Sequence, residues 1–390
     1  MMKQDSSAKK AKKPNILVRL LVLLITAALV VGALLLVVYR DRFNLDAVKR
    51  WLAYRSLETS ETGQAAPFTH AGGDKLSVAY LTDGVLTAST AGAHYYSFSG
   101  DQYAEEVRSL ENPVLSVSGG VGAAYDAGGQ ALFVFRDAQE TLDLSLEEGQ
   151  LISARVNSSG WLAVTAQQSG YKGAVTVYDR AGEPVIQISL SSTFVVDAAL
   201  SPDCGTVAVV TIGQEGGSFR SQVLFYPVDE KEPSAQADLG NVLALDLDYE
   251  DGLLWVLGEN QVMAVSQDGA AVQRYSFGRM YLKGCSLGGD GFAFVLLGRY
   301  RAGSAEQALV IGPDGTVQAT LELSGQVLDF DSAGSYCALL TGSTLTIYTA
   351  GGLEEYARLD ATQGARYAAL SSDGSVLLAD EQQAWMYIPG

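Results

Sequence analysis

The sequence predicts an all-β chain of repeated four-strand units, preceded by one transmembrane helix. The first observation is a repeated phrase, AALSPDCGTVAVV at residues 198–210 and AALSSDGSVLLAD at residues 368–380. The second is an alternation of apolar and polar residues from residue 75 onward, interrupted by Gly, Asp, Asn and Ser, which is typical of half-buried strands. The third is the uncharged stretch LLVLLITAALVVGALLLVV at residues 20–38, long enough as a helix to cross a bilayer.

The N-terminal region divides into a basic tail at residues 1–14 and a transmembrane helix at residues 15–39. Arg19 and Tyr39 flank the apolar stretch, where long cations and aromatic rings reach the membrane interface. A cleaved signal peptide is the alternative, but its apolar region is shorter, and YRDRF follows here in place of a small-residue cleavage site. The sequence therefore predicts an uncleaved anchor with membrane lipid as its partner.

Charge indicates how the anchor is oriented. Residues 1–58 contain eleven Lys or Arg against four Asp or Glu, whereas residues 59–390 contain fifteen against forty. The Lys and Arg on the two sides of the apolar stretch are nearly equal in number, so the positive-inside rule barely separates the two topologies. The basic tail suits an anionic cytoplasmic leaflet and the acidic body does not. We therefore expect a single-pass cell-membrane protein with a cytoplasmic N-terminus and an extracytoplasmic body, with the reverse topology as the alternative.

Residues 40–66 predict a juxtamembrane amphipathic helix followed by a linker. The helix begins at the cap residue Asn44 in FNLDAVKRWLAYRSL. Four apolar residues fall on one side of it: Leu45, Val48, Trp51 and Leu52. This pattern fits a helix that lies along the membrane surface, or a short spacer packed on the body. TSETGQAA, at residues 59–66, is predicted to be a polar linker.

Residues 67–390 form the repeated body. Eight segments, spaced 37–48 residues apart, begin at Lys75, Pro113, Gln150, Phe194, Val242, Tyr281, Gln326 and Ala365. Each holds four extended runs, for example LISARV, WLAVTA, AVTVYD and VIQISL in the third segment. Four strands in about forty residues are typical of a β-propeller blade. The sequence therefore predicts an eight-bladed β-propeller, with seven blades as the alternative.

The last segment is one strand short, because the chain ends after ARYAAL, SVLLAD and QAWMYI. A three-stranded blade would leave an open edge. The stretch PFTH, at residues 67–70, precedes the first blade and has no other strand to join. We expect it to supply the outer strand of the eighth blade and so to close the ring.

The Ser-Pro-Asp turn of the repeated phrase resembles the propeller repeats of the TolB class. More specifically, RDRFNLDAVKRWLAY, TSETGQAAPF, GWLAVTAQQSGYKGAVTVYD and LSPDCGTVAVVTIGQEGG resemble an uncharacterised family of single-pass membrane proteins from clostridial bacteria. The resemblance covers nearly the whole chain. It implies a Gram-positive envelope protein with a propeller body, and it carries over no catalytic residues.

The sequence offers little material for catalysis or for a metal site. An acidic body disfavours nucleic acid as a partner, since a phosphate backbone is bound through Lys and Arg. His70 and His94 are the only two histidines, which leaves little for a histidine metal site or a Ser-His-Asp triad. DLDYEDG at residues 246–252 and DFDSAG at residues 329–334 faintly resemble calcium loops, but both fit hairpin turns better. The sequence predicts no catalytic residue, no metal and no cofactor.

The predicted binding site lies on three long connections between second and third strands, at residues 167–173, 213–221 and 298–307. In a propeller these connections open on one face. Aromatic and cationic side chains of the kind found at interfaces gather there: Tyr171, Lys172, Phe219, Arg220, Arg299, Tyr300 and Arg301. The alternative is that the three connections are flexible hairpins without a binding role.

Two classes of function follow from these observations. The first is a membrane-anchored, extracytoplasmic propeller that acts as a non-enzymatic binding or scaffolding module for a protein, a peptide or an envelope polymer. The second is an envelope hydrolase or lyase that uses the central channel. Acidic residues predicted near the channel keep the second class open: Asp246, Asp248, Asp329 and Asp331.

Overall fold

The computed structural model describes residues 23–26, 45–250 and 252–390. Its contacts divide the chain into two units, Met1–Leu52 and Ala53–Gly390. The predicted basic tail, and the predicted transmembrane helix apart from residues 23–26, lie outside the described residues. Those four residues are helical. Among the residues that the structure describes, no helix has both the length and the apolar character needed to cross a membrane.

Helix α1 spans Leu45–Tyr54. Asp46 lies in its first turn, where a carboxylate interacts favourably with the helix dipole, and it accepts a hydrogen bond of 3.0 Å from Lys49 Nζ. Val48, Trp51 and Leu52 are all exposed, and their spacing places them on one side of the helix. The structure thus has a ten-residue helix in this region, while its position along a membrane stays a prediction.

The body is an eight-bladed β-propeller, as predicted, and not the seven-bladed alternative. It consists of eight separate four-stranded antiparallel sheets. The first strands of successive blades touch one another around the whole ring, the eighth against the first, so these strands line the central channel.

The blades follow the order of the chain. Blade one has β2 (Ser77–Leu81), β3 (Gly84–Ser89), β4 (Gly92–Tyr96) and β5 (Gln102–Glu106). Blade two has β6 (Pro113–Ser118), β7 (Val121–Asp126), β8 (Ala131–Arg136) and β9 (Gln139–Ser145). Blade three has β10 (Leu151–Val156), β11 (Leu162–Ala166), β12 (Gly173–Tyr178) and β13 (Pro184–Leu190). Blade four has β14 (Phe194–Leu200), β15 (Thr206–Glu215), β16 (Ser218–Pro227) and β17 (Ala235–Gly240).

The second half of the ring repeats this arrangement. Blade five has β18 (Ala244–Glu250), β19 (Leu253–Gly258), β20 (Gln261–Ser266) and β21 (Val272–Ser276). Blade six has β22 (Tyr281–Gly289), β23 (Phe292–Gly298), β24 (Gln307–Ile311) and β25 (Val317–Glu322). Blade seven has β26 (Val327–Ala333), β27 (Tyr336–Thr341), β28 (Leu345–Thr349) and β29 (Glu354–Leu359). Blade eight has β30 (Tyr367–Leu370), β31 (Val376–Ala379), β32 (Gln383–Tyr387) and β1 (Phe68–Thr69). Every first strand begins within two residues of the segment start that the sequence predicts.

The hydrophobic core lies between neighbouring blades. One cluster, for example, joins Val210 and Phe225 of blade four to Leu254, Val256 and Met263 of blade five. Because both faces of each sheet are covered in this way, the second strands are buried along nearly their whole length, as in β3 and β7. This explains why those strands read as continuous apolar runs.

The N-terminal segment closes the ring, as predicted from PFTH. Strand β1 pairs antiparallel with β32, Phe68 opposite Ala384, and the Phe68 side chain is buried. The pairing continues in the N-terminal direction, with Gln64 opposite Tyr387. Ile388 N donates a 2.8 Å hydrogen bond to Gly63 O. The second half of the stretch expected to be a linker, residues 63–66, is therefore part of the closure.

Candidate functional site

The three connections singled out in the sequence differ in form. Residues 167–172 and 299–306 are connecting loops, but residues 213–221 are not. There β15 and β16, each ten residues long, extend the blade as a paired hairpin with Gln214 opposite Phe219. Gly216 and Gly217 form the turn, with φ of +58° and +85°, a region that glycine enters without steric cost. The loop predicted at residues 213–221 is thus corrected to a protruding hairpin.

In blade three, the predicted residues border a pocket next to blade four. Tyr171 is half exposed. Lys172 Nζ donates a 2.9 Å hydrogen bond to Ser192 O and lies 4.9 Å from the ring centre of Phe194. Tyr171, Lys172 and Phe194, together with Ile152 of β10, line a pocket of about 450 Å³. Here the predicted residues form a concave site together with the first strand of the neighbouring blade.

In blade four, one of the two predicted side chains is exposed and the other is held in an ion pair. Phe219 lies on the protruding hairpin and is exposed. The Arg220 guanidinium donates two hydrogen bonds to the Asp238 carboxylate, of 3.0 Å and 2.6 Å. This pairing holds the pKa of Asp238 below its ordinary value. Arg220 is therefore fixed on its own blade, and the phenyl ring is what the hairpin presents.

In blade six, the loop again exposes an aromatic ring, and the neighbouring side chains of Arg299 and Lys283 already have polar partners. Tyr300 is 72 % exposed. Arg299 Nε lies 3.0 Å from Glu306 Oε2, and the carbonyl of Arg301 accepts a 3.0 Å hydrogen bond from Lys283 Nζ. Blade five separates this loop from the hairpin of Phe219, so the seven predicted residues form two groups rather than one.

Exposed apolar residues that were not predicted from the sequence lie between these two groups. The connections between blades open on the same face as those between second and third strands, because the strands of a blade are antiparallel. At that face the innermost strands of blades four to seven begin with exposed apolar residues: Phe194, Leu243, Leu245, Tyr281 and Leu328. We call these five, together with Tyr171, Phe219 and Tyr300, the apolar face. Phe194 and Tyr281 stand at two of the predicted segment starts, and Leu243, Leu245 and Leu328 follow theirs by one to three residues, which was the available signal.

The central channel contains a charged bridge that joins three blades. Arg155 of β10 donates from Nε to Asp197 Oδ2 of β14 at 2.7 Å, and from Nη2 to Asp246 Oδ1 of β18 at 2.5 Å. Asp197 Oδ1 also accepts from Ser153 Oγ at 2.5 Å and from the backbone N of Ala198 at 2.8 Å. The bridge holds blades three, four and five together at the axis.

The Arg155 bridge lies between two cavities of the channel. A cavity of about 290 Å³ lies toward the apolar face, lined by Ser153, Asp197 and the start of β18. A larger cavity of about 720 Å³ opens toward the opposite face, lined by the ends of β6, β10 and β18. Arg155 and Asp246 line both cavities. We call the larger cavity the polar vestibule.

The four acidic residues predicted near the channel do lie in innermost strands, Asp246 and Asp248 in β18, Asp329 and Asp331 in β26. Two of them connect blades seven and eight, since Asp329 Oδ2 accepts from Ala368 N and Asp331 Oδ2 from Leu370 N, both at 2.8 Å. Burial raises the pKa of Asp331 to about 6. The strands of blades seven and eight belong to separate sheets. The two carboxylates therefore bond backbone N–H groups of β30 where a paired strand would otherwise do so.

The negative charge of Asp248 has fewer hydrogen-bond partners than the charges of the other three channel aspartates. Its carboxylate accepts a 2.8 Å hydrogen bond from the adjacent Tyr249 N, its one hydrogen-bond partner among the described residues. Burial raises its pKa to about 6, and the charge of Asp246 adds to that shift, against the opposing effect of Arg155. A carboxylate in this state is destabilising to the fold at neutral pH and is available for a cationic partner.

Asp248→Asn is expected to stabilise the fold at pH 7. The folded pKa of about 6 lies above the ordinary 3.8, so the free energy of unfolding falls as pH rises from about 4 through 6, by on the order of 1 to 3 kcal/mol. Asparagine keeps the acceptor for Tyr249 N and lacks the charge. Urea unfolding at pH 7 and pH 4 should show a gain that shrinks at the lower pH.

Asp197→Asn is the matched comparison for that variant. It removes the same charge from a neighbouring innermost strand but takes an acceptor from Arg155, so it should lower the free energy of unfolding at pH 7 by about 2 kcal/mol. Equal effects of the two substitutions would contradict the distinction between a bridging carboxylate and an uncompensated one.

A cluster of acids between blades one and two could bind a cation. Carboxylate oxygens of Glu106, Glu140 and Asp143 lie within 4.8 Å of one another. Burial and the neighbouring Glu106 raise the pKa of Glu140 to about 7, and Arg108 donates hydrogen bonds of 3.1 Å and 2.8 Å to Asp143. A proton on Glu140 and the positive charge of Arg108 therefore already offset much of the negative charge of this acidic cluster.

Comparison with solved structures supports the β-propeller fold, and at these low identities it carries no argument about function. The chain is similar to the computationally designed protein Ika8, with 12 % identity, a TM-score of 0.59, and coverage of 82 % of this chain and 98 % of that one. The C-terminal WD40 domain of Sif2 gives 13 % identity and a TM-score of 0.57, with the same two coverages. The β-propeller domain of Cps50 (Swd1) from Myceliophteria thermophila gives 10 % identity and a TM-score of 0.50, covering 72 % of this chain and 99 % of that one.

Sequence comparison places the chain in a family. No curated protein sequence matches it. Residues 54–364, which run from the end of α1 to the start of blade eight, match the model of a family whose function is unknown. Because that match covers more than half of the chain, the protein belongs to the family of unknown function DUF5711.

Proposed function

We propose that this protein is a membrane-anchored, non-enzymatic binding module that holds a protein or peptide partner on the apolar face of its propeller. The observation that carries the proposal is the exposure of the eight side chains of that face, each 43–72 % accessible to solvent. Isolated exposed apolar residues are ordinary, but a group gathered on one face of adjacent blades is typical of an interaction site.

The composition of the apolar face supports a protein partner. Its five aromatic residues are of the types that dominate binding energy at protein interfaces: Tyr171, Phe194, Phe219, Tyr281 and Tyr300. The ion pairs of Arg220 with Asp238 and of Arg299 with Glu306 lie beside them, which resembles the polar rim around an apolar centre. The pocket between Tyr171 and Phe194 would receive one anchoring side chain.

An envelope hydrolase or lyase is the competing proposal, and Asp248 is the observation in its favour. A carboxyl with a pKa near 6 is suited to general acid-base catalysis. The other acids of the channel are engaged, however: Asp246 with Arg155, and Asp329 and Asp331 with blade eight. Glycoside cleavage by the usual route needs a second free carboxyl. The binding module is therefore the proposal that the site supports better.

The anchor and the location remain part of the proposal. The uncharged stretch at residues 20–38 and the exposed apolar side of α1 support attachment to the cell membrane. The acidic body and basic tail support an extracytoplasmic propeller on a single-pass protein of a Gram-positive envelope, as the resemblance to clostridial proteins implies. Protease added to intact cells should then remove the body, and deletion of residues 20–38 should release the protein from membranes.

The binding proposal is tested with a photoreactive phenylalanine in place of Phe219 in the full chain, expressed in its native cells. We expect one defined protein to be crosslinked from this position. Tyr300→Ala, two blades away, should reduce the yield by about tenfold, because an aromatic residue at the centre of an interface contributes about 1 to 2 kcal/mol or more.

Two controls make the experiment decisive. A photoreactive group in place of Tyr103, which is exposed on the outer strand of blade one, should not capture the same protein. Val185→Ala, on the outer strand of blade three, should leave the yield from position 219 unchanged. Equal capture from positions 103 and 219, or a heterogeneous saccharide adduct, would count against a protein partner on the apolar face.

A further inference from the structure

We propose that the partner of the apolar face binds through an acidic peptide segment, which lies against a group of cations on blade six. We call this group the basic edge and define it by four residues at the apolar-face end of that blade: Arg279, Lys283, Arg299 and Arg301. Binding of this segment rests on the function proposed above and adds the chemistry of the partner.

The basic edge differs in charge from the rest of the propeller. Residues 59–390 contain fifteen Lys or Arg against forty Asp or Glu, but residues 279–301 contain four against one. That one acid, Asp290, lies at the turn between β22 and β23, at the opposite end of these strands from the basic edge. A local excess of positive charge on an acidic body attracts an anionic segment to one place on the molecule.

Two connections on the apolar face bring the cations together. Arg279 lies in the connection from β21 to β22, and Lys283 follows it near the start of β22. Lys283 Nζ donates a 3.0 Å hydrogen bond to the carbonyl of Arg301, in the connection from β23 to β24. Tyr281 lies opposite Gly298 in the ladder, so the connection after Gly298 begins beside the start of β22.

The acids at the same end of blade six already have partners within that blade. Glu306 Oε2 lies 3.0 Å from Arg299 Nε. Glu322, on the outer strand β25, accepts a 2.6 Å hydrogen bond from Gln307 Nε2. One cation of the basic edge is therefore compensated, and three remain.

Those three cations have no carboxylate partner in the part of the chain that the structure describes. Arg279 and Arg301 are exposed and form no ion pair there. The hydrogen bond of Lys283 goes to a neutral backbone carbonyl, which leaves its charge uncompensated. Carboxylates from another chain can pair with all three, and an ion pair with a guanidinium can use two hydrogen bonds at once.

Two exposed tyrosines favour a peptide over a polymer that is charged along its whole length. Tyr281 and Tyr300, each next to or between cations of the basic edge in the sequence, are 46 % and 72 % exposed. A peptide can cover both rings with apolar side chains while its carboxylates pair with the guanidinium groups. A polyanion without apolar groups would leave the rings in water.

The test is fluorescence anisotropy of the full chain with the labelled, amidated peptide Asp-Glu-Tyr-Asp-Leu-Glu. Its uncharged counterpart, Asn-Gln-Tyr-Asn-Leu-Gln, has nearly the same shape and should bind at least about tenfold more weakly. The double variant Arg279→Gln, Arg301→Gln should weaken binding of the acidic peptide by about tenfold, because two charge-assisted contacts are lost. Raising the ionic strength from about 0.05 M to about 0.5 M should also weaken it, since exposed charges are screened.

A matched double variant removes the same charge from the opposite face. Arg180 and Lys231 lie in connections between third and fourth strands, so Arg180→Gln, Lys231→Gln should bind the acidic peptide as the unchanged chain does. Inorganic polyphosphate should not displace the peptide at equal charge concentration; displacement would make the basic edge a general polyanion site and overturn the assignment. Loss of an oligomer in the Arg279→Gln, Arg301→Gln variant, seen by sedimentation velocity, would make a second copy the occupant and overturn it as well.

Failure of the acidic segment and failure of the apolar-face partner give different results. If position 219 captures a defined protein but the acidic and uncharged peptides bind alike, the apolar face keeps its partner and the acidic segment is wrong. If the acidic peptide binds as expected and position 219 captures nothing, the basic edge is retained and the apolar-face partner is wrong. No binding of the acidic peptide, or undiminished binding by the Arg279→Gln, Arg301→Gln variant, would end the case for the basic edge.

Discussion

A chain that begins at Ala71 is expected to lose the cooperative unfolding that a chain beginning at Ala53 retains. It lacks β1, so β32 becomes an open edge, and the buried Phe68 side chain is removed from blade eight. It also lacks Tyr54, whose ring packs on Phe98 at 5.4 Å and whose hydroxyl lies 2.9 Å from the Tyr80 hydroxyl. Blade eight is the vulnerable point because its first two strands, β30 and β31, have only four residues each.

The measurement is urea unfolding followed by tryptophan fluorescence and by circular dichroism. In the chain beginning at Ala53, the two signals should change together, as in a two-state transition. In the chain beginning at Ala71, they should separate, and the midpoint should fall, because loss of a buried aromatic residue alone costs about 3 to 5 kcal/mol. An unfolding curve identical to that of the longer chain would contradict closure by β1.

A rearranged chain supplies the matched control. Joining residues 62–70 behind Gly390 by a short turn would make β1 an ordinary fourth strand of blade eight, since it already runs antiparallel to β32. This chain also begins at Ala71 but regains the strand. It should recover most of the lost midpoint, which assigns the effect to the edge of β32 rather than to the position of the new N-terminus.

The architecture could be predicted because it depends on local patterns. Alternation, turn residues and a repeat of about forty residues define each blade without reference to any other blade. The closure was predictable for the same reason, as PFTH was the one extended stretch without a partner. The hairpin of residues 213–221 was mistaken for a loop since a Gly-Gly pair is compatible with both, and only the pairing of Gln214 with Phe219 shows that the ladder continues.

The contacts inside the channel could not be predicted because they depend on distances across the ring. Arg155, Asp197 and Asp246 come from three blades, and their sequence separations carry no signal until the number of blades and the register of each strand are known. The same holds for the vestibule, which combines the end of β6 with β18. What the sequence did offer was a charged residue in an otherwise small and apolar innermost strand, as at Arg155 in LISARV.

Arg155→Met is expected to lower the free energy of unfolding by about 2 to 3 kcal/mol at pH 7. Removing one partner from a buried ion pair leaves an uncompensated charge, which costs about 3 to 5 kcal/mol when burial is complete. Here the Asp197 side chain is 11 % exposed but that of Asp246 is 40 % exposed, so water relieves part of the cost. Arg155→Lys should have an intermediate effect, because an ammonium cannot bond both carboxylates in the planar geometry of a guanidinium.

The triple variant Arg155→Met, Asp197→Asn, Asp246→Asn tests whether the bridge stabilises the fold through compensation of charge or through its hydrogen bonds. Replacement of a whole buried ion-pair network by neutral groups is often close to neutral in stability, so the triple variant should regain much of what Arg155→Met loses. Arg366→Met is the surface control, since Arg366 and Glu381 are both exposed and 3.9 Å apart; it should change stability by less than about 0.5 kcal/mol. If the triple variant is instead less stable than Arg155→Met, the bridge acts through the hydrogen bonds that order blades three to five, and not through compensation of charge.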